Sequence, residues 1–123
     1  RERWERIAIA SVKQCGRAVV PPILELIDAG MLPHAVSSGQ LPAPAFMLVE
    51  TSAATEADGV RDLESVAPKE ATIIVAPEGG WTPEEVEAAR HSVRPLTLSA
   101  PTIRADVMAI VAMAALLTRW NEL

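Results

Sequence analysis

The chain has 123 residues, half of them hydrophobic, a formal net charge of −5, and only four aromatic side chains, Trp4, Phe46, Trp81 and Trp120. That length fits one domain, residues 1–123, with a core packed from Ala, Val, Ile and Leu as in an α/β protein. The acidic balance argues against a stand-alone nucleic-acid binder, and the longest apolar run, Val107 to Leu117, falls short of the roughly 20 residues of a membrane span.

Taken in chain order, Trp4, Ile7 (or Ala8), Ser11 and Cys15 recur at helical spacing, so Glu2 to about Gly16 reads as an amphipathic helix closed by Gly16. Cys15 is expected as a small core residue, and as the single cysteine it fits a reducing cytoplasm. No basic, then apolar, leader opens the chain, so secretion is not expected. Pro21-Pro22 predicts a second helix from Ile23 to about Ala29, ended by Gly30, and the Pro, Ser and Gly content of residues 33–44 predicts a loop. Phe46 to Val49 reads as a short strand with Glu50 at its carboxyl end, and Val60 to Val66 as one or two helical turns. Pro83 to about Ser92 is a helix, Arg94 to Leu98 a strand, and Ala105 to about Asn121 a long helix. That last helix is apolar nearly all round. It needs cover on two sides, the protein's own sheet and a second subunit, with overpacking inside one subunit as the alternative. His34, in the loop, and His91, at a charged helix end, read as solvated; with Cys15 they show no metal-ligand spacing.

The most informative stretch is Thr72 to Glu85. Ile73-Ile74-Val75 is a short β-branched run, the pattern of a strand covered on both faces in a parallel sheet. Thr82, Pro83 and Glu85 form a capping box with proline at the first helical position. Between strand and helix, Gly79 and Gly80 can take positive φ, and without Cβ atoms they let the main chain lie against a ligand. A tight strand-to-helix turn with no ligand accounts for the same residues.

Pro77-Glu78-Gly79-Gly80-Trp81-Thr82 with Glu85 also resembles the GPEGG-aromatic-[ST]-x-x-E signature of the ribosomal RNA uridine-N3 methyltransferases, a branch of the SPOUT superfamily of knotted enzymes. Arg3-Trp4-Glu5-Arg6-Ile7 with Ser11, Gln14, Arg17 and Pro21 resembles an N-terminal segment of that family. Leu98 to Asp106 resembles its second pocket loop, and Arg119 to Leu123 its closing residues, so the likeness spans nearly the whole chain. Ala76, Ser99, Pro101, Asp106-Val107 and Val49 depart from the pattern. Members carry an additional N-terminal β-barrel domain that helps bind RNA, which makes this sequence read as the methyltransferase part alone.

The resemblance implies a mainly parallel α/β sheet with flanking helices, tied as a SPOUT trefoil knot, and S-adenosylmethionine as cofactor. It assigns the cofactor to Val49, Glu50, Val75, Ala76, Pro77, Glu78, Gly79, Gly80, Leu98, Ser99 and Ile103. It brings substrate RNA to Arg3, Gln14, Arg17 and Arg104, with Arg104 as the catalytic cation that stabilises a deprotonated uracil. The implied partners are ribosomal RNA or the small ribosomal subunit and a second copy of the chain, with no membrane and no metal. Charge follows that division, because Arg1, Arg3, Arg6, Lys13 and Arg17 face only Glu2 and Glu5 in the first 17 residues, whereas residues 25–87 hold twelve acids against Arg61 and Lys69. Two other readings fit the same residues: a SPOUT-like protein that binds cofactor or RNA without methylating, and a plain nucleotide-binding α/β module.

Overall fold

The computed structural model describes residues 1–50, 56–98 and 103–123. Its helices are α1 (Glu2–Cys15), α2 (Leu32–Ser37), α3 (Pro83–Ala89) and α4 (Ala105–Arg119), and its strands are β1 (Ala45–Leu48), β2 (Asp58–Gly59), β3 (Thr72–Ile74) and β4 (Arg94–Thr97). The four strands form one sheet in the order β2-β4-β1-β3, and every pairing is parallel. This is the parallel α/β sheet with flanking helices that the sequence predicts.

The apolar run of β1 becomes a strand buried on both faces because successive side chains point to opposite sides. Ala45, Met47 and Val49 join Ile74, Val86, Ala89 and Val93 in a cluster on the α2/α3 side. Phe46 and Leu48 join Leu96, Ala112 and Leu116 in a second cluster under α4, where the Phe46 and Trp120 rings lie 6.2 Å apart. β3 divides in the same way, with Ile74 in the first cluster and Ile73 and Val75 packed on the second. Two clusters on one sheet make a three-layer sandwich.

Several expected elements form differently. Residues 17–28 contain no regular helix; a 3₁₀ turn at Ala29–Met31 leads directly into α2, inside the stretch expected to be a loop. The Asp28 carboxylate accepts from the Gly30 N–H at 2.8 Å and starts the chain turning there, and Pro33 sits in the first turn of α2, so the helix start lies later than Pro21-Pro22 suggests. No buried face supports a helix further upstream: Leu24 is 66% and Leu26 85% exposed, and short helices need such a face. The expected turns at 60–66 reduce to a 3₁₀ turn, Val60–Asp62, preceded by the unforeseen β2. A 2.6 Å ion pair between Arg94 and Asp58 ties that short strand to β4. Cys15 is exposed rather than in the core, because α1 buries only Val12. His34 lies in α2, exposed as expected, and His91 is exposed as well.

Candidate functional site

Parallel sheets bind ligands beyond the carboxyl ends of their strands, and a cavity of about 580 Å³ opens there. Its floor is the ends of β1 and β3, with Leu48, Val49 and Glu50 on one side and Val75 to Trp81 on the other. Pro83 and Val86 of α3 close one wall, and the entry to α4, from Ile103 to Asp106 with Met108, closes the other. Of the residues assigned to the cofactor, Val49, Glu50, Val75, Ala76, Pro77, Glu78, Gly79, Gly80 and Ile103 line this cavity. Leu98 packs instead on the cluster under α4. Ser99, and with it Pro101, falls outside the described residues.

The turn that shapes the cavity is built locally. The Gly80 N–H donates to the Pro77 carbonyl at 2.9 Å, and Gly80 takes φ +73°, a conformation that side chains with a Cβ disfavour. Gly79, expected to share it, has no positive φ. A Cβ at either glycine would meet no atom within 4 Å, so the main chain faces open space. The capping box is present in full: Thr82 Oγ1 accepts from the Glu85 N–H at 3.2 Å, and the Glu85 carboxylate accepts from the Thr82 N–H at 2.8 Å. It fixes where α3 begins, and so how far the turn projects.

Arg104 stands at the N-cap position of α4, where its carbonyl accepts from the Val107 and Met108 N–H groups at 3.0 and 2.9 Å. Its side chain is 84% exposed and makes a two-pronged contact with Asp106, 3.2 Å on each arm. No side chain caps α4, and Asp106 adds a carboxylate to its first turn, where the helix dipole favours one. Glu50, Glu78 and Asp106 bring three carboxylates to the lining, and Arg104 is its only cation among the described residues. Arg3, Gln14 and Arg17 lie on or just after α1, exposed, and do not line the cavity.

The sequence did not single out Leu48, Val86 or Met108 as cavity residues. Met108 lies in the first turn of α4 and lines the cavity together with Arg104, Ala105 and Asp106. Trp81 is the residue after the glycine pair, and its indole Nε1 is buried with no hydrogen-bond partner. A second cavity, about 450 Å³, lies at the opposite end of the sheet between residues 56–58 and 90–95. There Arg94 is paired with Asp58, and Arg90 with Glu87 and the Glu56 carbonyl. No group of three or more His, Cys, Asp or Glu side chains among the described residues is placed to hold a metal ion, and no helix among them is long and apolar enough to cross a membrane.

A family model described as an RNA methyltransferase domain matches residues 1–117. The ribosomal RNA small subunit methyltransferase E of Mycobacterium bovis is 29% identical over 97% of this chain and 46% of its own length. Its counterpart in Synechocystis is 28% identical over 92% of this chain and 37% of its own. Among solved structures, a ribosomal RNA small subunit methyltransferase E of Neisseria gonorrhoeae bound to S-adenosyl methionine superposes with a TM-score of 0.77, at 28% identity over 97% of this chain and 47% of that one. A putative methyltransferase of Legionella pneumophila in complex with the cofactor SAM gives the same TM-score at 25% identity, over 95% of this chain and 45% of that one. The chain thus spans less than half the length of these relatives.

Proposed function

The chain belongs to the RNA methyltransferase domain family, and from that premise we propose that it is an S-adenosylmethionine-dependent methyltransferase acting on N3 of a uridine in small-subunit ribosomal RNA. The single observation that carries the reading is the 580 Å³ cavity at the carboxyl ends of β1 and β3, bordered by the Pro77–Gly80 turn. The lining fits the cofactor: bare main chain at the glycines, apolar walls, and carboxylates suited to a sulfonium and an ammonium. When bound, the cofactor supplies an activated methyl group.

The protein's task is then alignment and charge. The Val75–Trp81 turn and the Ile103–Met108 wall hold donor and acceptor at close range. Arg104, beside the uracil oxygens, favours loss of the N3 proton to solvent by stabilising the anion left behind. Its pairing with Asp106 is exposed on both sides, and exposed ion pairs are worth so little that a substrate oxygen can displace the carboxylate. Arg3, Gln14 and Arg17 form the RNA-facing edge, supported by the basic excess of residues 1–17.

The working unit we propose is a cytoplasmic homodimer with the SPOUT knot. Val107, Ile110 and Met113 leave the outer side of α4 exposed, so the alternative of overpacking within one subunit does not account for them, and a second copy would cover them.

Methyl transfer to unmodified small ribosomal subunits tests the reading. Arg104→Ala in the whole protein should lower the rate by about two to three orders of magnitude, the scale for losing one preorganised electrostatic partner, with cofactor affinity little changed. Arg104→Lys should recover part of the loss. Activity per folded molecule near that of the parent in the alanine variant would remove Arg104 from the mechanism. Cofactor binding with no transfer to small subunits would favour the reading as a binding protein.

A further inference from the structure

Trp81 joins two regions of the protein. Its ring packs on the core cluster that contains Met47, Val49 and Val86, and it also forms part of the cavity lining. Its Nε1 is the one buried side-chain nitrogen or oxygen without a partner among the described residues. Burying a donor without an acceptor forfeits its hydration and returns nothing. Phenylalanine or leucine would fill the same space without that penalty, so folding alone gives no reason for an indole here. The remaining face of the ring is the cavity. Donation into the cavity requires the ring to turn so that the buried N–H faces it, and aromatic χ2 torsions are broad and soft.

Resting on the reading of this cavity as a cofactor site, we propose that Trp81 is a binding residue whose indole N–H donates to an acceptor atom of the bound cofactor, a purine nitrogen, a ribose oxygen or its carboxylate. The donor is left unpaired within the protein and satisfied on binding. Stability without ligand and affinity for ligand are therefore set in opposition at one atom.

Trp81→Phe separates the two, since it keeps the ring and deletes the donor. Without ligand, the variant should melt at the same temperature as the parent or a few degrees higher. Its affinity for S-adenosylhomocysteine in calorimetry should fall roughly five- to tenfold, the scale of one hydrogen bond. In the parent, the indole N–H resonance identified by its loss in the variant should move downfield and exchange more slowly on titration with S-adenosylhomocysteine. An affinity within twofold of the parent, or a resonance that does not move, would overturn the assignment. A lower melting temperature with unchanged affinity would do the same and leave Trp81 as packing. Failure of the parent itself to bind S-adenosylhomocysteine would instead overturn the cofactor reading of the cavity.

Discussion

Helices α3 and α4 wall the same cavity from opposite sides, yet they are held in different ways. α3 begins at a complete capping box and turns Val86 and Ala89 into the core, while Glu84, Glu85 and Glu87 stay in solvent. Its pattern is consumed within the subunit. α4 begins at Arg104 with no side-chain cap, buries Ala112 and Leu116 against the sheet, and leaves Val107, Ile110 and Met113 outside. α3 presents its apolar face to the core alone; α4 carries a second apolar face, exposed in this structure.

Placing one carboxylate on each helix puts this contrast to its strongest test. Val86 is 3% exposed and Ile110 67%. Val86→Asp should cost several kcal/mol, as an unpaired buried charge does, and leave little folded protein by circular dichroism. Ile110→Asp should keep the fold, and light scattering should show the parent at about twice its 13.1 kDa chain mass and this variant at the chain mass. A parent that is already monomeric would mean that the outer face of α4 has another use. A smaller effect separates the helix starts. Thr82→Ala removes an N-cap acceptor and should cost about 1 kcal/mol in denaturant unfolding, whereas Asp106→Ala, which loses an exposed pair and a favourable dipole contact, should cost about 0.5 kcal/mol. Equal costs would mean that the capping box does not fix α3.

These two helices also show which parts of the fold the sequence made legible. α3 could be read because its cap, its proline and its buried residues lie within one local stretch, and β1 because a run buried on both faces is apolar throughout. Residues 23–37 were misread because Pro21-Pro22 resembles a helix start, while the signal that governs is Asp28 with Gly30, followed by Pro33, and Leu24 and Leu26 find no partner surface. β2 has two residues and exists through pairing with β4, far along the chain, so nothing local announces it. The cavity floor was legible from the glycine turn and the strand ends. The pairing of Arg104 with Asp106 and the stranded Trp81 N–H depend on tertiary placement, which periodicity does not encode.

If the cofactor is held at the carboxyl ends of β1 and β3, it will be seen there when bound. A crystal structure of the chain with S-adenosylhomocysteine tests it most directly. The ligand is expected between the Val75–Trp81 turn and the start of α4, against the main chain of Gly79 and Gly80. Ligand at the opposite end of the sheet, beside Arg90 and Arg94, or a cavity that stays empty at saturating ligand, would contradict it.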